Sequence, residues 1–215
     1  MISKRIQELA DMVPETERVI DVGCDHALLD VYLTSKLKKT KFLATDISNN
    51  AINNAINTIK NNHLESKIDT LVTDGLNNID LNKNDFIVIS GMGTNTIIDI
   101  ISPKIKQITN ILIQSNRDLE LLRKFMFENG YKIKEEKVIF DELYYVFIYF
   151  TKGKYKYCDI DLWLGPIIKK SNNKAYFEFL VKKYKKILPG IPDNDLKKKN
   201  IINRIKKLNN LIEKM

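Results

Sequence analysis

Residues 86–90 (FIVIS) form an apolar run of strand length bounded by polar residues, the pattern of a strand buried on both faces. Such a strand needs a neighbour on each side and helices above and below, which restricts the chain to a layered α/β fold. The rest of residues 1–151 supplies those parts in alternation. Residues 18–21, 42–46, 69–72 and 110–114 read as further short strands. Between them lie helical segments: one following Gly23, Asn49–Asn61 with Ile52, Ile56 and Ile59 on one face, Thr94–Ile101 stopped by Pro103, and residues 118–129 closed by Gly130. Residues 3–12 open the chain as an amphipathic helix. Residues 132–140 and 143–151 are rich in strand formers and read as an antiparallel hairpin at one sheet edge. The expected fold is a doubly wound, mainly parallel α/β sheet.

Charge divides the chain in two. Residues 1–151 hold 18 Lys+Arg and 21 Asp+Glu, a net of −3, and residues 152–215 hold 17 and 6, a net of +11. The pattern changes at the same place. Residues 174–188 place Tyr176, Phe179, Lys183, Tyr184 and Ile187 at helical spacing, the PGIP of residues 189–192 breaks the helix, and Asp193 or Asp195 caps the next. That second helix carries Ile201, Ile205, Leu208 and Ile212 as an a/d-like seam, so the tail reads as a coiled-coil-like helical hairpin with lysines outside. Domains are therefore expected at 1–151 and 152–215, the first binding a ligand and the second gripping a polyanion. Lys169, Lys170, Lys182, Lys183, Lys185, Lys186, Lys197, Lys198 and Arg204 are the candidate phosphate contacts. Two cysteines make no disulfide framework and fit a cytoplasmic location; no signal peptide, membrane span or metal-site spacing is visible. The asymmetric build fits a monomer.

The chemistry-bearing residues cluster at strand ends. After the first strand comes Asp21-Val22-Gly23-Cys24-Asp25-His26, a turn in which a glycine lets backbone approach a ligand and the next helix begins. A dinucleotide fingerprint would place a second glycine where Asp25 stands. A pyrophosphate would be repelled there, whereas the sulfonium and amino groups of S-adenosylmethionine would be attracted. Asp46, followed by Ile47, ends the second strand and suits a ribose diol; Asp74-Gly75 after the third suits an adenine. Gly91-Met92-Gly93 after the fourth strand reads as a tight loop with exposed backbone N–H and C=O groups, and Gln114-Ser115-Asn116 after the fifth offers amides to the edge of a base. Asp25, His26, Gln114 and Asn116 are the candidate catalytic residues. No Ser/His/Asp triad, P-loop or HExxH is present.

In this order DVGCDHALLD, TDIS, TDGL, SGMGT and IQSN make the chain resemble the bacterial tRNA (adenine-22-N1)-methyltransferase family, TrmK, over nearly its whole length. That family's first loop runs D-x-G-S-D-H-A-Y-L-P, so Cys24, Leu28 and Asp30 stand here for Ser, Tyr and Pro; Thr94 departs from its GMGG and Ser115 from its QPN. The resemblance implies a class I Rossmann-like methyltransferase core with a C-terminal α-helical domain, S-adenosylmethionine as cofactor, tRNA as partner, and methylation of adenine N1. The alternatives are a methyltransferase acting on another RNA or a non-catalytic RNA-binding protein.

Overall fold

A computed structural model describes residues 2–215. The chain divides into two compact units, the first ending at Trp163 and the second running from Leu164 to Met215. The charge step after Thr151 does not coincide with this division, because residues 152–163 fold with the first unit.

The first unit is built on a seven-stranded sheet ordered β3-β2-β1-β4-β5-β7-β6. Its strands are β1 (Arg18–Val22), β2 (Lys41–Asp46), β3 (Ile68–Val72), β4 (Asp85–Met92), β5 (Asn110–Ser115), β6 (Tyr131–Asp141) and β7 (Leu143–Lys152). The first five are parallel, with Ile20 of β1 opposite Leu43 on one side and Ile87 on the other. β7 runs antiparallel to β5, and β6 pairs antiparallel with β7 at the edge of the sheet. The helices are α1 (Lys4–Asp11), α2 (Leu28–Lys36), α3 (Asn49–Asn61), α4 (Thr94–Ile101), α5 (Leu119–Glu128) and α6 (Asp159–Leu164), the last with no counterpart among the segments expected from sequence.

Burial explains the arrangement. Residues 85–89 of β4 are buried without a break, while edge strand β6 is buried only at Tyr131, Glu136 and Ile139. Val19, Ile20, Val88, Ile111 and Leu112 are fully enclosed at the centre. A buried ion pair anchors the far side: Arg123 of α5 donates through Nε to Glu136 of β6 at 2.8 Å and through Nη1 to the carbonyls of Leu162 and Trp163. From β1 the chain winds outward to β3, then returns to β4 on the other side of β1. That reversal opens a crevice at the carboxyl ends of β1 and β4, where open α/β sheets take their ligands.

The second unit contains α7 (Lys174–Ile187) and α8 (Leu196–Ile212), joined by a short turn through Pro189. Asp195 caps α8 by accepting from the Lys197 N–H. Of the seam expected on α8, Ile201 and Leu208 are buried, while Ile205 and Ile212 are half-buried. The face of α7 is not: Phe177 and Val181 are its buried residues, whereas Phe179 and Ile187 are exposed. Apolar side chains lie on more than one side of α7, so spacing alone did not select the packed one. Among the described residues no helix is long and apolar enough to cross a membrane.

Candidate functional site

The crevice holds a cavity of about 400 Å³, within the range of small-ligand sites. Four strand ends and one helix line it. Val22 and Gly23 come from β1, Asp46 and Ile47 from β2, Thr73, Asp74, Gly75 and Asn77 from β3, and Met92 from β4. Thr96, Asp99, Ile100 and Pro103 come from α4 and its end.

Local geometry accounts for each position. The β1–α2 loop is stitched to the end of β2, since the N–H groups of Gly23 and Cys24 both donate to the Thr45 carbonyl at 2.8 and 3.0 Å. Gly23 sits at φ +80°, where an L side chain is strained, and a Cβ there would overlap the Met92 methyl, so glycine lets the Met92 side chain lie against this turn. Asp25 and Ala27 also lie in the left-handed region, which makes this the most contorted turn of the sheet. Asp46 accepts from the Ser48 N–H at 2.9 Å and from the Asp25 N–H at 3.4 Å. These bonds leave each carboxylate oxygen with acceptor capacity toward the cavity. Thr73 Oγ1 donates to the Asn77 carbonyl and closes the turn that carries Asp74. Ile100 packs over Gly75, which brings α4 down onto that turn.

Next to the cavity, Gly91 occupies a bulge where β4 loses register with β5, at φ +82°. The expectation of open backbone groups here is corrected by the structure. The Gly91 N–H donates to Gln114 Oε1 at 2.9 Å, and its carbonyl accepts from Asn116 Nδ2 at 2.7 Å. Gln114 Nε2 closes the ring on Asn116 Oδ1 at 3.0 Å. Gln114 is only 1% exposed and its amide is spent on this ring, while Asn116 is exposed and keeps hydrogen-bonding capacity. Thr94 and Ser115, the two departures from the family motifs, meet each other: their hydroxyls lie 2.9 Å apart in a buried site, and each also reaches the Arg117 carbonyl.

Asp21, Cys24, Asp25, His26, Gly91, Gly93, Gln114 and Asn116 do not line the cavity, although all were expected at the site. Asp25 and His26 form an exposed pair at its side, Nε2 to Oδ1 3.7 Å. Asp21 is buried behind the loop, and removal from water, opposed in part by a hydrogen bond to Asp30, raises its carboxyl to about 7. The Cys24 thiol is buried too, and burial together with Asp21, Asp30 and Asp46 pushes it far up, so it stays a neutral, unreactive thiol. Sequence reasoning missed the contribution of α4. Thr96, Asp99, Ile100 and Pro103 recur at helical spacing and so share one face, which was legible, but nothing local says that this face meets Gly75.

In the second unit Lys170, Lys182, Lys183, Lys185, Lys186 and Lys197 are exposed as expected. Lys198 is paired with Asp193 at 2.5 Å, and Arg204 lies 3.5 Å from the Tyr184 hydroxyl. Lys169 is half-buried.

Residues 2–148 match the Methyltransferase domain family. The MG248 protein of Mycoplasma genitalium is 37% identical over 144 residues, 65% of either chain. The tRNA (adenine(22)-N(1))-methyltransferase of Bacillus subtilis is 27% identical over 141 residues, 64% of this chain and 59% of that one. These two matches thus span less than two thirds of either relative. The structure of M. capricolum TrmK with S-adenosyl-homocysteine matches almost end to end, with a TM-score of 0.86, 30% identity, and coverage of 99% of this chain and 98% of that one. The carboxylate-rich cavity at the reversal of the sheet therefore sits in a known setting, and the chain belongs to the methyltransferase-domain family and, within it, to the TrmK family.

Proposed function

We propose that this protein transfers a methyl group from S-adenosylmethionine to N1 of adenine 22 in tRNA. One observation carries the reading: a nucleoside-sized cavity bounded by Asp46 and Asp74, at the reversal of the sheet, in a chain that matches TrmK over nearly its full length.

The residues present fit the cofactor. Asp46 takes the ribose hydroxyls, and exposed Ile47 covers one face of the adenine. Asp74 receives the adenine amino group, with Gly75 leaving room for the ring. Val22, Gly23 and Met92 form the wall beside the methionine portion, and the carboxylates of the loop favour its positive charge. S-adenosylmethionine supplies an electrophilic methyl on a positively charged sulfur. Adenine N1 already carries a lone pair, so the protein needs no strong base and contributes position and electrostatics. Asn116 offers its free amide capacity to the substrate base, with Gln114 and the Gly91–Gly93 turn holding it in place. Asp25 and His26, exposed beside the cavity, stabilise the cationic product or accept its N6 proton. Extruding the base from a folded RNA costs a few kcal/mol. The basic segment 152–215 offsets that cost through phosphate contacts, with the exposed lysines of α7 and α8 carrying most of it. Acting on tRNA, the enzyme works in the cytoplasm, as a monomer.

Incubation with S-adenosylmethionine and an unmodified tRNA transcript, followed by nuclease digestion and mass spectrometry, tests this. A 1-methyladenine at position 22 is expected. A methyl group elsewhere in the RNA would overturn the site, and binding of cofactor with no methylation would overturn the substrate.

A further inference from the structure

Asp30, on the first turn of α2, is fully buried, and among the described residues no other residue donates a hydrogen bond to either of its carboxyl oxygens. Its neighbour is another acid. The Asp21 and Asp30 carboxyl groups lie within hydrogen-bonding reach of each other. Two carboxylates have no hydrogen to share, so the contact is a bond only when one of them carries a proton. The other titratable groups acting on the pair are Asp46 at the end of β2 and the Cys24 thiol, and neither is a cation. On the α1 side, Asp11 is engaged with Lys36 at the far end of α2. Asp21 immediately precedes Val22 and Gly23, which line the cavity. Asp30 stands where the family's first-loop motif has proline.

We propose that Asp30 is a positioning residue that holds a shared proton against Asp21, and that this proton leaves when the cationic cofactor binds. The inference rests on S-adenosylmethionine as the ligand. With the proton in place the pair carries at most one negative charge, which the buried site tolerates. A positive ligand in the cavity lined by Val22 and Gly23 stabilises a second negative charge, so binding drives the proton into solvent. Linkage then requires the affinity for S-adenosylmethionine to rise with pH through the range in which the pair titrates, by at most ~10-fold per unit. In the absence of cofactor the sign is opposite for folding. Burial holds both acids above the usual carboxylate range, so the folded chain binds more protons than the unfolded one. This term therefore favours the fold at acid pH and is lost as pH climbs toward about 7.

Two measurements on the full chain test it. Calorimetric titration with S-adenosylmethionine near pH 7, in two buffers of different ionisation heat, counts protons released. The wild type is expected to release a fraction of a proton. Asp30→Asn, whose amide donates to Asp21 permanently, is expected to bind with release near zero. Release by the variant equal to wild type, or none by the wild type between about pH 6 and 8, overturns the proposal. Denaturant unfolding across pH, without cofactor, is the second readout. Asp30→Asn is expected to gain stability relative to wild type as pH rises, and parallel profiles overturn the shared proton. Should the wild type bind no S-adenosylmethionine, the cofactor reading fails, and the unfolding profiles decide the acid pair separately.

Discussion

Gly23 and Gly91 make a matched pair for testing where the cofactor wall lies. Both are in the left-handed region, at φ +80° and +82°. An alanine at either position bears the same backbone cost, ~1–2 kcal/mol. For a chain of this size that corresponds to a fall of ~2–8 °C in melting temperature. The surroundings differ. Nothing lies within 4 Å of a Cβ built on Gly91, whereas a Cβ on Gly23 overlaps the Met92 methyl. Ordinary carbon–carbon separation is restored only if that methyl retreats by about 1 Å or more. Because Met92 and Gly23 both line the cavity, the retreat is at the expense of cofactor space. Without cofactor the methyl retreats into the open cavity, whereas with cofactor bound the wall is overpacked by ~1–3 kcal/mol, equivalent to a ~5- to 160-fold loss of affinity. Gly23→Ala and Gly91→Ala are thus expected to melt alike without cofactor, while only Gly23→Ala binds S-adenosylmethionine ~5-fold or more weakly by calorimetric titration. Equal affinities for the two variants would refute the placement of the wall at Gly23 and Met92.

Other consequences are separable. Arg123→Met removes the buried guanidinium from which Glu136 and the Leu162 and Trp163 carbonyls accept, and denaturant unfolding is expected to show a loss of about 3–5 kcal/mol. Thr94→Gly and Ser115→Pro, which restore the family motifs, are expected to be non-additive in a stability cycle by ~1 kcal/mol, because the two buried hydroxyls bond each other and share the Arg117 carbonyl. Changing Lys182, Lys183, Lys185 and Lys186 to Gln is expected to flatten the salt dependence of tRNA binding by about one in log–log slope for each phosphate no longer neutralised, with cofactor affinity unchanged; a slope equal to wild type would remove α7 from the RNA surface.

Much of the fold was legible because its determinants are local. The run at residues 86–90, the periodic Ile52, Ile56 and Ile59, and the stops at Pro103 and Gly130 marked elements that the structure places within a residue or two. The carboxyl-end loops were legible for the same reason: an acid or glycine directly after a strand stands at a defined place in any parallel sheet. Asp46, Asp74 and Gly23 accordingly line the cavity. Legibility ended where one residue's role depends on another far away in sequence. Gln114 looked like a free amide and is instead consumed by Gly91, 23 positions earlier. Phe179 looked like packing and is exposed, because the partner helix chose Phe177 and Val181.

By itself, then, the sequence determined the alternation of strands and helices, the basic tail and the acids at the strand ends, since hydrophobic period, capping and charge are properties of short segments. Only the tertiary structure decided that α4 closes the cavity over Gly75, that Thr94 meets Ser115, and that Asp30 is buried against Asp21. Each of these depends on two segments being pressed together by the burial of the sheet, and the energy of such a contact is written in neither segment alone.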